Sequence, residues 1–264
     1  MIALVGDAEI AYDDIGSGLP VIFLHAFPLN RTMWEPQMGA LVADCRCVAI
    51  DFRGLGESSD TPPYSVDRYA DDVAGVMDTL QIDRAVIVGL SLGGYVAFAM
   101  WRRHPQRIRG LVLADTHAAP DTVAKAERRR MLIELAESEG STAIANMQIA
   151  SIVGKTTREK RPDIYDAVHR MIAQAPVAGI VGALEAMIER PDSTPTLSTI
   201  HAPVLIVVGE EDAATPPREA RTMHAAIPGS RLEVIRDAGH LSNVERPAAF
   251  NTVVREFVGS LLYS

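Results

Sequence analysis

Ala85-Val86-Ile87-Val88-Gly89-Leu90-Ser91-Leu92-Gly93 is the stretch that decides the fold. Ala85 to Val88 is a short, continuously apolar and β-branched run, the pattern of a strand buried on both faces. Val96, Ala97 and Met100 then recur at helical spacing. Between them stands G-x-S-x-G, the pattern of a sharp strand-to-helix turn that lifts a serine out of the sheet. Such a turn holds the serine in a strained backbone conformation, so the residues two positions either side must be small, and Gly89 and Gly93 are. The helix start behind Ser91 points amides and a positive dipole end at the hydroxyl, which favours a developing oxyanion. The bland alternative is a Gly-rich turn that happens to contain serine; the flanking strand and helix argue against it. A dinucleotide loop needs G-x-G-x-x-G, which this turn lacks.

Working outward, similar apolar runs stand at Val21 to Leu24, Val48 to Ile50, Leu111 to Leu113 and Val204 to Val208, and an alternating run at Leu232 to Ile235. Helical spacing separates several of them. Tyr69, Val73, Val76, Met77 and Leu80 form one face with Ser65 as N-cap. Phe250, Val253, Val254, Phe257, Val258 and Leu261 form another, with Pro247 in the first turn. Strand alternating with helix predicts an α/β domain whose mostly parallel sheet carries helices on both faces and binds ligands beyond the carboxyl ends of its strands. The rhythm breaks between about 118 and 197, where Val168, Met171, Ile172, Ala175, Ile180, Leu184, Met187 and Ile188 keep helical spacing. The expected organisation is a core of residues 1–117 and 198–264 with a helical cap of 118–197. Arg190 to Pro195 reads as the loop returning the chain to the sheet.

A serine hydroxyl is a weak nucleophile at neutral pH and needs a base that a third group orients. His240, in Asp237-Ala238-Gly239-His240 after the last strand, is the base expected. Asp212, after the strand ending at Val208, is the acid expected; Glu210, Glu211 and Asp115 are its rivals. The other histidines are read as surface residues, except His25, which is read as a structural hydrogen-bonding residue beneath the His25-Ala26-Phe27-Pro28 loop. The backbone amides of Phe27 and Leu92 are the expected oxyanion donors. Met131, Met147, Met171 and Met187 are either an apolar acyl pocket or helix packing.

The 264 residues suffice to bury roughly three quarters of the unfolded surface. A net charge of −9 disfavours nucleic acid and anionic membrane as partners. The one basic cluster, Arg128-Arg129-Arg130, reads as a solvated helix face, with anion steering as the alternative. Cys45 and Cys47 share a strand face, are badly placed for a mutual disulfide and lack metal spacing. No metal or organic cofactor is expected. The N-terminus lacks a basic n-region, no run reaches the roughly 18 apolar residues of a membrane span, and a cytoplasmic location is the expectation.

His25 to Pro28, Asp51-Phe52-Arg53-Gly54-Leu55-Gly56-Glu57-Ser58, the Ser91 turn, the Asp212 loop and Gly239-His240 together make the chain resemble the α/β-hydrolase fold family over nearly its whole length. The resemblance implies an eight-stranded sheet with a helical cap. Gly209 to Pro217 and Ala238 to Glu245 are similar to 3-oxoadipate enol-lactonases, whereas the His25 loop is closer to general esterases and cofactor-free haloperoxidases. Hydrolysis of a small-molecule carboxylic ester or lactone is therefore the expected activity. Perhydrolysis, C–C bond hydrolysis and a non-catalytic ligand receptor are the alternatives.

Overall fold

The computed structural model describes residues 1–262. Eight strands form one sheet: β1 (Ile2–Val5), β2 (Ala8–Gly16), β3 (Leu19–Leu24), β4 (Cys45–Ile50), β5 (Ala85–Leu90), β6 (Ile108–Ala114), β7 (Val204–Gly209) and β8 (Arg231–Ile235). Their spatial order is β1-β2-β4-β3-β5-β6-β7-β8. From β4 onward every pairing is parallel; β1 and β2 add an antiparallel edge. That edge had no counterpart in the strand pattern, because Ala8 to Gly16 mixes buried apolar residues with Glu9, Asp13 and Asp14. The central strands β5 and β7 are buried at every residue, as two covered faces require.

The helices of the core are α1 (Glu35–Leu41), α2 (Val66–Thr79) and α3 (Leu92–Arg103). Ser65 caps α2 as expected, its hydroxyl accepting from the Arg68 amide at 3.0 Å. Between β6 and β7 the chain makes no strand among its described residues and runs through α4 (Val123–Glu139), α5 (Ser141–Ile152), α6 (Lys155–Lys160), α7 (Pro162–Ala173) and α8 (Val177–Glu189). It then returns through α9 (Pro217–Ala226), α10 (Ser242–Glu245) and α11 (Pro247–Ser260), whose first helical residue is Pro247. No single described helix is long and apolar enough to cross a membrane; α7 and α8 satisfy that test only as a pair broken by a 94° bend.

Two close approaches fix the helical segment to the sheet. A Cβ on Gly179 of α8 would lie 1.7 Å from the Gly54 carbonyl oxygen, so only glycine lets the helix meet that loop. A Cβ on Gly154, between α5 and α6, would lie 2.6 Å from the Gly239 amide nitrogen. The second contact sets the helical segment directly against the loop that carries His240.

Candidate active site

β5 ends at Leu90 and α3 begins at Leu92, leaving Ser91 alone at the turn with φ 55° and ψ −110°. A positive φ costs a residue with a Cβ roughly 1–3 kcal/mol and persists only where its surroundings hold it. Here the Ser91 amide donates to the Ala114 carbonyl at 3.0 Å, and its carbonyl accepts from Thr116 Oγ1 at 2.9 Å. The flanking glycines have a steric reason as well. A Cβ on Gly89 would sit 2.2 Å from the Gly93 carbonyl oxygen, and one on Gly93 2.1 Å from that of Leu24. Glycine at both positions lets strand, turn and helix close on one another.

The β7 and β8 ends bring the other two side chains to this turn. His240 Nε2 lies 2.8 Å from Ser91 Oγ, and His240 Nδ1 lies 2.9 Å from Asp212 Oδ2. Since an ionised carboxylate only accepts, Nδ1 carries the proton it shares with Asp212 and Nε2 is left to accept from the serine hydroxyl. Asp212 is itself held by the amides of Ala214 at 2.8 Å and Thr215 at 2.9 Å and by the Thr215 hydroxyl at 2.6 Å. Burial works to raise its pKa, but the His240 charge and these hydrogen bonds outweigh it, and the net direction is down. At His240 burial favours the neutral ring, yet the adjacent Asp212 carboxylate prevails and its pKa is raised. Serine, imidazole and carboxylate thus form one chain of hydrogen bonds.

The rivals for the acid position lie elsewhere. Asp115 is fully buried, accepts from the Gly209 amide at 2.7 Å and from the Ser242 hydroxyl, and has no hydrogen bond to His240 among the described residues. Burial, and next the Asp212 charge, push its pKa well above the usual carboxylate range. Glu211 accepts from Thr156 of the helical segment, and Glu210 reaches only the Asp237 amide at 3.4 Å. Glu245, unremarked in the sequence, clamps the histidine loop: it accepts from the Gly239, Leu241 and Gly154 amides at 3.0, 3.2 and 2.9 Å. The His240 amide also donates to the Ile152 carbonyl at 2.9 Å.

Phe27 lines the cavity above Ser91, and Leu92 is the first residue of α3. Neither amide donates to another group among the described residues, so both N–H groups remain available. Beneath Phe27, His25 is fully buried, with Nε2 accepting from the Phe52 amide at 3.0 Å and Nδ1 2.9 Å from the Ala26 carbonyl. Both ring nitrogens are thereby occupied and burial lowers its pKa, as a structural histidine requires. Asp51 secures the same loop from below, accepting from the Arg31 amide at 2.6 Å and the Glu57 amide at 2.9 Å.

The cavity at Ser91 has a volume of about 280 Å³. Its lining bears on two expectations. Met131 and Met147 are 66% and 52% exposed, and Met171 packs against the core; of the four methionines only Met187 lines the cavity. Sequence spacing located these residues on helices but not on the facing side. Arg128 and Arg129 line the cavity with Lys125, while Arg128 and Arg130 are exposed, so the basic run is a solvated face that also borders the cavity. His117 was also missed: it is 4% exposed, its Nε2 lies 2.9 Å from the Tyr95 hydroxyl, and burial followed by the Lys125 charge drives its pKa down to about 3. Its only sequence signal was its place just beyond the end of β6. Among the described residues no cluster of His, Cys, Asp or Glu has metal-holding geometry.

Comparison with known proteins gives the family. Residues 20–247 match the family model described as alpha/beta hydrolase fold. The chain is 31% identical to 3-oxoadipate enol-lactonase 2 of Acinetobacter baylyi over 89% of its own length and 86% of that protein's. Among solved structures, an esterase from Thermogutta terrifontis determined with malate bound superposes with TM-score 0.96 at 38% identity, covering 99% of this chain and 98% of that one. The enol-lactonase from Burkholderia xenovorans LB400 superposes with TM-score 0.92 at 30% identity, covering 98% and 100%. With the match running from β3 through β8 and including the serine turn and the histidine loop, this chain belongs to the alpha/beta hydrolase fold family.

Proposed function

We propose that the protein hydrolyses a carboxylic ester or lactone of a small molecule through an acyl-enzyme on Ser91. The observation that carries the reading is the continuous hydrogen-bonded chain Ser91–His240–Asp212 opening into a cavity. The similarity to esterases and enol-lactonases supports the same reading.

In the first half-reaction His240 Nε2 takes the Ser91 proton as Oγ attacks the carbonyl carbon. The tetrahedral oxyanion rests on the free amides of Phe27 and Leu92, aided by the positive end of α3. His240, now an imidazolium stabilised by Asp212, returns its proton to the departing alkoxide. In the second half-reaction it deprotonates water, which attacks the acyl carbon and releases Ser91. The helical segment 118–197 acts as a cap that closes the cavity over the serine and buttresses the His240 loop through Ile152 and Gly154 and the Asp212 loop through Thr156.

Multiple-turnover hydrolysis of short p-nitrophenyl esters and a lactone panel tests the proposal. Wild type is expected to turn over at least one of them, and Ser91→Ala to lose that turnover while remaining folded. Turnover retained in Ser91→Ala would refute the serine mechanism.

A further inference from the structure

We propose that the ester or lactone carries a carboxylate, and that Lys125 and Arg128, on the α4 wall of the cavity, bind it while Ser91 attacks the carbonyl. The inference rests on the hydrolase reading above and specifies its substrate class.

The chain holds 34 acidic against 25 basic residues. Its cavity at Ser91 inverts that balance: Lys125, Arg128 and Arg129 line it, and no acidic residue does. The three cations differ in what already holds them. Arg129 is paired with Asp121 at 2.5 Å, and Asp121 is shared with Arg190 at 2.8 Å. Lys125 and Arg128 have no carboxylate within ion-pair distance among the described residues. The Lys125 ammonium instead stands 3.4 Å from His117 Nε2, a ring that stays neutral and already faces the Tyr95 hydroxyl. Burial first, with the charges of Arg190 and Arg129 against it, lowers the proton affinity of Lys125, and the Asp121 and Glu219 charges restore it only in part. An incoming carboxylate would supply the missing counter-charge as a charge-assisted hydrogen bond.

Lys125 and Arg128 are exposed yet line the cavity, so an anion bound there would meet two cations that hold no protein carboxylate at ion-pair distance among the described residues. The chemistry is ordinary hydrolysis: water adds across the acyl carbon–oxygen bond, the alkoxide takes the proton, and the distal carboxylate passes through unchanged. With a cavity of about 280 Å³, the fitting class is short carboxylate-bearing esters and lactones, among them half-esters of small dicarboxylic acids.

The test compares charged and neutral partners in two arms. In the first, the p-nitrophenyl half-ester of glutaric acid is set against p-nitrophenyl methyl glutarate, which places the charge on the acyl side. In the second, para-acetoxybenzoate is set against its methyl ester, which places it on the alcohol side. Wild type is expected to favour the charged partner in kcat/KM by about tenfold or more in one arm, the order of a single charge-assisted contact. That arm identifies the side bearing the carboxylate. Lys125→Met and Arg128→Met should each erase most of the preference, mainly by raising KM for the charged ester. Arg130→Met, on the solvent side of the same helix, should leave it intact. Equal or better use of the neutral esters by wild type, or a preference untouched by Lys125→Met and Arg128→Met, overturns the inference and leaves the hydrolase reading standing. Absence of turnover on all four esters instead counts against the hydrolase reading. Titration with glutarate then decides the cation pair: binding lost in Lys125→Met supports it, and no binding or unchanged binding overturns it.

Discussion

The three side chains of the proposed triad, which the structure brings together, each carry a local sequence signature: glycines two residues either side of Ser91, Gly239 before His240, and a strand end before Asp212. Sequence favoured Asp212 but kept Asp115 as a rival, since both follow sheet strands. Only the positions of β6 and β7 in space give His240 to Asp212 and leave Asp115 to the Gly209 amide and Ser242. The two acids should therefore respond differently to removal. Asp212→Asn is expected to lower kcat by about 10³–10⁴-fold, the cost of a misoriented or mistautomerised imidazole. Asp115→Asn is expected to stay within about tenfold of wild type, because it touches neither reacting atom. Steady-state kinetics on any turned-over ester distinguishes them. The pH profile follows from the same contacts. The proposed mechanism needs His240 neutral, and Asp212 raises its pKa, so kcat/KM should rise with pH along an acid limb centred above the usual imidazole value. In Asp212→Asn the residual activity should show that limb moved to lower pH.

At the scale of elements, α2, α11 and the parallel strands declared themselves through apolar periodicity and caps. β1 and β2 did not, because β1 is only four residues long and β2 mixes buried apolar residues with Glu9, Asp13 and Asp14. The faces of α4 and α5 also stayed hidden: Lys125 and Arg128 border the cavity while remaining exposed, a placement that apolar spacing does not register. Contacts between elements give two predictions that sequence would not. Gly179→Ala should destabilise the protein by about 1–3 kcal/mol, since the new methyl meets the Gly54 carbonyl and α8 must shift. Gly39→Ala, in α1 with nothing within 4 Å of its Cβ, should instead stabilise by up to about 1 kcal/mol. Denaturant unfolding should give these opposite signs. Glu245→Gln puts an amide NH₂ against one of three backbone donors, and a loss of about 1–3 kcal/mol is expected, with a lower kcat as the His240 loop loosens.

Over the whole molecule, the sheet order gathers residues that are far apart in the chain. β5 lies at the centre and delivers Ser91, β7 and β8 deliver Asp212 and His240 from the C-terminal third, and β3 leads into the Phe27 loop. The excursion between β6 and β7 then covers the same sheet end and supplies the cationic wall. The alternation of strand and helix made that plan readable from sequence; the sign of the cavity's charge was not, because an overall −9 says nothing about where the basic residues converge. The claim on which everything else depends is that Ser91 becomes acylated with His240 as base. It is tested most directly by rapid quenching of the enzyme with an activated p-nitrophenyl ester, followed by peptide mass spectrometry. The account predicts a transient acyl mass on the peptide containing Ser91, absent in Ser91→Ala and formed orders of magnitude more slowly in His240→Ala. Acylation of another residue, or turnover in Ser91→Ala at the wild-type rate, would contradict it.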